Sequence, residues 1–114
     1  QAGEAASPPD SDVQSALDYI GRNYRVALTL DSVACACNVS KYHLSRKFSS
    51  YTGMSFPEYV NALRIGYSLT QLRNTNKSIT EIAFDSGFES LRTFHRSFRL
   101  AKGVPPSKIR KQRS

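Results

Sequence analysis

The chain repeats itself. Thr29, Leu30, Val33, Ala34 and Asn38 correspond to Ser78, Ile79, Ile82, Ala83 and Gly87 at a constant offset of 49 residues, in the order capping hydroxyl, apolar, apolar, small, turn residue. Beyond the turn the offset becomes 50, where Leu44, Arg46, Phe48 and Gly53 match Phe94, Arg96, Phe98 and Gly103. One residue is therefore gained just after the second turn. A duplicated segment of this length must be a supersecondary unit, which removes most folds from consideration. Each copy has the pattern of a helix-turn-helix: a short helix, a tight turn, and a second helix packed across the first. Ala34 and Ala83 stand where the two helices cross, because a larger side chain would hold the backbones apart. Asn38 and Gly87 are residue types that enter the left-handed region most readily.

The elements around the repeat follow from helical spacing. Val13, Ala16, Leu17, Ile20 and Tyr24 predict a first amphipathic helix, with Asp10 or Ser11 able to cap it. Thr29 caps the short helix of the first copy, and Ser40 opens the helix after its turn, with Leu44 and Phe48 inward. From Ser55 to Asn74 one apolar row runs through Phe56, Tyr59, Val60, Leu63 and Tyr67 and another through Ile65, Leu69 and Leu72, so this helix needs two neighbours. Pro57 is tolerated in the first turn. Gly66 weakens the helix by roughly 1 kcal/mol relative to Ala, and close packing is the compensation expected there. Ser78 and Ser90 open the two helices of the second copy, and Pro105 and Pro106 start a last short turn. No stretch alternates with strand period.

These features predict an all-α fold of about seven helices: two homeodomain-like helix-turn-helix subdomains joined by a long connecting helix. The expected division is a linker or cut end at 1–10, a first subdomain at 11–54, the connecting helix at 55–74, a second subdomain at 75–110 and a basic tail at 111–114. The opening residues, rich in Ala, Ser, Gly and Pro, suggest that something once preceded them.

Charge is uneven. Of the net charge of +7, residues 1–39 contribute −3 and residues 40–114 contribute +10. Such an excess suits a polyanion, because each Lys or Arg that meets a phosphate releases condensed counterions. At 114 residues the chain is too short for a large enzyme with a deep cleft. Cys35 and Cys37 are the only cysteines, and their spacing on a helix points them apart, so they read as two small buried apolar residues rather than a redox pair. No apolar run is long enough for a membrane span and no signal peptide is visible, which gives a cytoplasmic expectation. No cofactor or metal site is expected, since His43 and His95 fall in different copies and no carboxylate lies at ligand spacing.

The segments LDSVACACNVSKYHLSRKF (30–48) and SITEIAFDSGFESLRTFHRSFRLAKGVPPSKIR (78–110) resemble the DNA-binding domain of the AraC/XylS family of bacterial transcription regulators. The run from Ile82 and Ala83 through Gly87 and Phe88 to Phe94, Arg96, Phe98, Gly103 and Pro105 is similar to the family signature nearly throughout, and the likeness extends over 13–110. Asn38 replaces a frequent Gly, Ile109 a common aromatic, and Ser68 and Gln71 usual apolar residues. The resemblance implies seven helices in two lobes, double-stranded DNA as partner, a transcription activator in contact with RNA polymerase, and an N-terminal sensor or dimerisation domain outside this chain.

With Leu44 and Phe48 inward, the first recognition helix presents Ser40, Lys41, Tyr42, Ser45 and Arg46; with Phe94 and Phe98 inward, the second presents Ser90, Leu91, Arg92, His95, Arg96 and Arg99. Arg46, Arg92 and Arg96 suit base contact, since a guanidinium donates twice to guanine O6 and N7 in the major groove. Tyr42, Ser45 and His95 can add single hydrogen bonds, and Leu91 can touch a thymine methyl. Lys41 and Arg99, with the helix starts at Ser40, Ser78 and Ser90, suit phosphates. Arg64 and Arg73 on the connecting helix are expected to be structural or phosphate-facing. A connecting helix of about 19 residues spans roughly 28 Å, close to one duplex turn of about 34 Å, so the two recognition helices are expected in successive major grooves. Two other readings compete: the DNA-binding portion of a DNA-repair methyltransferase, and a protein-interaction module that has lost DNA binding. The cysteines lack an activating His or Asp in the sequence pattern, so the chain is not expected to be an enzyme.

Overall fold

The computed structural model describes residues 11–111. The expected linker at 1–10, and the tail beyond Lys111, lie outside the described residues. Within them the chain forms seven helices and no strand: α1 Ser11–Asn23, α2 Leu30–Ala36, α3 Lys41–Thr52, α4 Phe56–Asn74, α5 Ile79–Asp85, α6 Leu91–Lys102 and α7 Pro106–Lys111. Two compact units result, one from the chain up to Arg22 with Leu28–Phe56, the other from Asn23–Ala27 with the chain from Pro57 onward.

The first unit is built on the inward faces of three helices. Val13, Ala16 and Ile20 of α1, Val33 and Ala34 of α2, and Leu44 and Phe48 of α3 are buried. Ser11 is already helical, so it does not cap α1, and Tyr24 falls past the last residue of that helix. Helix α2 packs on α3, and Phe56 meets Phe48 edge-on with ring centroids 6.2 Å apart. Between α1 and α3, Asp12 Oδ2 lies 3.1 Å from His43 Nε2, a tie the apolar pattern does not disclose.

The second unit has an aromatic core. Ile65, Leu72, Ile82, Ala83, Phe88, Phe94, Phe98 and Ile109 form one buried cluster, with Leu69, Ile79, Leu91 and Val104 packed against it. Phe94 contacts Phe88 and Phe98 with centroids 5.4 Å and 5.7 Å away. A Phe, Leu or Ile side chain taken fully out of water stabilises by about 1.5–3 kcal/mol, so the three rings and the buried aliphatic residues share the stabilisation of the unit. Ile109 is buried, and the buried Ser68 satisfies its hydroxyl by donating to the Ile65 carbonyl at 2.7 Å. Both sides of α4 carry buried or half-buried apolar residues, as its two rows require.

Residues 23–27 are held in the second unit by arginines. Arg64 donates from Nε to the Tyr24 carbonyl at 2.6 Å and from Nη2 to the Val26 carbonyl at 2.9 Å. Burial pulls its pKa down, an effect that the Glu89 carboxylate opposes. Arg25 donates to the Asp85 carbonyl at 2.8 Å and lies 4.1 Å over the Tyr67 ring. Of the two roles expected for Arg64, the structural one is observed. Arg110 similarly bonds the carbonyls of Thr75 and Lys77 and so ties α7 to the α4–α5 loop.

Gly66 does not fulfil the expectation of close packing: it is exposed, and a Cβ built there meets nothing within 4 Å. The cysteines are not the two buried residues expected, since Cys35 is exposed and Cys37 half-buried. Consecutive helical residues turn by about 100°, so with Val33 and Ala34 facing the core Cys35 has turned away from it, and Cys37 is the C-cap rather than an inward helical position.

Candidate nucleic-acid interface

The two copies are the same object at the level of backbone hydrogen bonds. Thr29 accepts from Ser32 N and Ser32 Oγ accepts from Thr29 N, both at 3.0 Å. In the second copy Ser78 Oγ accepts from Glu81 N at 3.0 Å and Glu81 Oε1 from Ser78 N at 3.1 Å. Each is a capping box that satisfies two helix-end donors reciprocally. The turns match as well. Asn38 N donates to Cys35 O and Val39 N to Ala34 O, as Gly87 N donates to Phe84 O and Phe88 N to Ala83 O. Asn38 and Gly87 take positive φ, 61° and 107°, as the choice of turn residues predicts.

Helices α3 and α6 open on Ser40 and Ser90, whose hydroxyls accept from His43 N at 3.1 Å and Thr93 N at 3.2 Å. They close on Gly53 and Gly103, both left-handed. Leu44 and Phe48 are buried in one, Phe94 and Phe98 in the other. The offset of 50 therefore carries the exposed face with it: Tyr42, Ser45 and Arg46 are exposed on α3, and Arg92, His95, Arg96 and Arg99 on α6. Ser40 and Ser90 are exposed too. Tyr42 is the most open of the first set, at 76%.

Two residues of the expected face are placed differently from the rest. Leu91 is half-buried and packs against the aromatic core, which leaves only part of its side chain to solvent. Lys41 is half-buried and its ammonium lies 3.5 Å from both carboxylate oxygens of Asp31 on α2. The pairing of Asp31 with Lys41 has no helical signature in the sequence, because the α2–α3 turn brings residues 31 and 41 together. The same applies to His43 and Asp12, which are 31 residues apart. For Arg64 a signal existed: it stands in the i, i+4 row Val60–Arg64–Ser68–Leu72, whose other members are all buried.

The chemistry of the face is that of donors. Three exposed guanidiniums lie on α6, one on α3, and no carboxylate lies on either helix. Among the described residues no group of three or more His, Cys, Asp and Glu is arranged to hold a metal ion, and no helix is long and apolar enough to cross a membrane. The Cys37 thiol is pushed up from its ordinary pKa by burial and by the Asp12 charge, the opposite of what an activated nucleophile requires.

Tandem helix-turn-helix units whose second helices expose basic, donor-rich faces define the class, a helix-turn-helix DNA-binding domain of a transcription regulator. A family model described as a helix-turn-helix domain matches residues 33–112. The multiple antibiotic resistance protein MarA of Escherichia coli (strain K12) is 35% identical over 98 residues, covering 86% of this chain and 77% of that protein. The bifunctional transcriptional activator/DNA repair enzyme AdaA of Bacillus subtilis (strain 168) is 34% identical over 103 residues, 90% of this chain. This chain spans 49% of AdaA's length. The C-terminal domain of AraT, a response regulator from Geobacillus stearothermophilus, matches with a TM-score of 0.88 at 33% identity, covering 94% of this chain and 89% of that one. The chain belongs to the AraC/XylS family of DNA-binding domains.

Proposed function

We propose that the chain reads an asymmetric double-stranded DNA site with α3 and α6 in successive major grooves, as the DNA-binding part of a transcription activator. The observation that carries this reading is the character of the two exposed faces: Arg46 and Arg96 stand at the same place relative to the buried anchors, and neither helix carries a carboxylate. Arg46, Arg92 and Arg96 are assigned to base edges, where a guanidinium forks onto guanine. Tyr42, Ser45 and His95 supply single contacts, and the exposed edge of Leu91 meets a thymine methyl. Arg99 is assigned to phosphate, with the helix starts at Ser40 and Ser90, whose first backbone N–H groups have no intrahelical acceptor. The continuous 19 residues of α4 give a connector of roughly 28 Å, which supports spacing over one duplex turn. The activator role, contact with RNA polymerase, and a sensor or dimerisation domain preceding this segment rest on membership of the family.

Selection of bound duplexes from a random pool, followed by gel-shift titration, tests the reading. Arg96→Ala is expected to weaken binding to the selected site by roughly 1–3 kcal/mol and to relax preference at one base pair. Unchanged preference in both Arg96→Ala and Arg92→Ala would sink the assigned face.

A further inference from the structure

Of the cations on the expected DNA face, Lys41 is set apart by its carboxylate neighbour. Its ammonium lies 3.5 Å from both oxygens of Asp31, which is itself 72% exposed. Both side chains line a shallow concavity between α2 and the start of α3, together with Cys35 and Ser40. The repeat supplies an internal control. At the corresponding positions the second copy carries Thr80 and Leu91, neither of them charged. The acid and the base thus occur together in one copy and are both absent from the other, although the α2–α3 and α5–α6 turns open with the same backbone hydrogen bonds, the second running one residue longer.

We propose that Asp31 is a positioning residue for Lys41 that limits the affinity of the first helix-turn-helix for DNA. This rests on the DNA-reading proposal above. In a helix-turn-helix the first helix crosses the sugar–phosphate backbone and the second enters the major groove, and Lys41 at the start of α3 lies against Asp31 on the first helix. An acid in the first turn of α2 therefore meets the same phosphates that Lys41 would reach. Asp31 acts twice: it holds the ammonium on the protein, and it places a negative charge beside the polyanion. An exposed pair of this length is worth little to the free protein, so folding does not require it. In binding its cost is electrostatic and therefore salt-dependent, since a cation that already has a carboxylate partner releases fewer counterions when a phosphate approaches. The second unit also has an acid in that turn, Glu81, but its carboxylate accepts from Ser78 N in the capping box, and the positions of Asp31 and Lys41 hold the uncharged Thr80 and Leu91.

The test is a cycle of wild type, Asp31→Asn, Lys41→Gln and the double variant on the wild-type-selected duplex, titrated across a salt series. Asp31→Thr, the residue of the second copy, serves as an independent variant, and urea midpoints verify folding. Asp31→Asn is expected to bind about five-fold tighter at low salt and to steepen the slope of log K against log salt by about 0.9. Lys41→Gln is expected to flatten that slope by about 0.9 in the Asp31→Asn background and by less than half as much in the wild-type background. Equal effects of Lys41→Gln in both backgrounds, or an unchanged slope in Asp31→Asn and Asp31→Thr, overturn the role of Asp31. Loss of helix-end stabilisation alone would move the urea midpoint and not the slope. Failure of the wild type to select any duplex overturns the DNA-reading proposal instead.

Discussion

The two helix-turn-helix units share their caps, turn hydrogen bonds and burial pattern, and differ in what encloses the turn. In the first unit Asn38 is exposed at a φ of 61°. In the second, Gly87 is buried at a φ of 107°, and a Cβ there would lie 2.7 Å from the Tyr24 carbonyl oxygen, 2.8 Å from Arg64 Nε and 2.9 Å from Arg25 Cα. The turn itself asks only for a residue that tolerates the left-handed region, which Asn does. Glycine is demanded by the backbone of residues 23–27, which Arg64 and Arg25 hold against it. The repeat thus fixes the geometry of a turn, and the surroundings choose its residue.

Swapping the turn residues gives the largest expected difference between the units. Gly87→Asn keeps a residue type that tolerates the left-handed region but sets a Cβ against two backbone atoms that cannot step aside, and is expected to cost about 3 kcal/mol. Asn38→Gly in the first unit should change stability by no more than about 0.5 kcal/mol. Urea unfolding of both variants measures this. A loss in Gly87→Asn as small as that in Asn38→Gly would show that the turn alone, rather than the enclosure, sets the requirement.

That contrast also marks what was legible in the sequence. Every hydroxyl cap assigned from the repeat at Thr29, Ser40, Ser78 and Ser90 is in place, and Leu44, Phe48, Phe94 and Phe98 are buried as expected. Those features depend on local spacing, which a sequence displays directly. The arginine bonds to carbonyls 38 and 40 residues away have no local signature, because a backbone carbonyl is offered by every residue alike. The exposed face of α3 and α6 was legible for the same reason as the core: it is the complement of the inward row. Its modifiers were not, and Asp31 beside Lys41 and Asp12 beside His43 depend on turns and packing that bring distant positions together. The cysteines show the limit of composition, since a tendency of free Cys to be buried yields to the helix phase that turns Cys35 outward.

The caps offer a comparison in which the units should agree. Thr29→Ala and Ser78→Ala each remove the acceptor for a helix-end N–H, and each is expected to cost about 1 kcal/mol. The second residues of the boxes should then separate them. Glu81 brings a carboxylate to the start of α5 where Ser32 brings a hydroxyl, and a negative charge near a helix N-terminus adds about 0.3–1 kcal/mol that salt screens. Glu81→Ala should therefore cost more than Ser32→Ala in low salt, with the gap closing as salt is added. A gap that ignores salt would mean that geometry, not charge, distinguishes the two boxes.

The smallest effect has the opposite sign. Gly21 in α1 and Gly66 in α4 both lie in helices, both are exposed, and beyond the helix's own neighbouring backbone neither has an atom within 4 Å of where a Cβ would stand. Nothing around them resembles the enclosure of Gly87. Each costs its helix the extra backbone freedom that glycine retains in the unfolded chain, so Gly21→Ala and Gly66→Ala are each expected to stabilise by about 0.5–1 kcal/mol. The gains should add, because the two residues lie in different units and share no partner within that radius. Differential scanning calorimetry of the single and double variants checks this. A loss at Gly66 would mean that α4 needs the glycine for a reason that packing around this site does not supply. Gains at both, beside a severe loss at Gly87, would establish that the same residue type is a local penalty in two helices and a tertiary requirement in one turn.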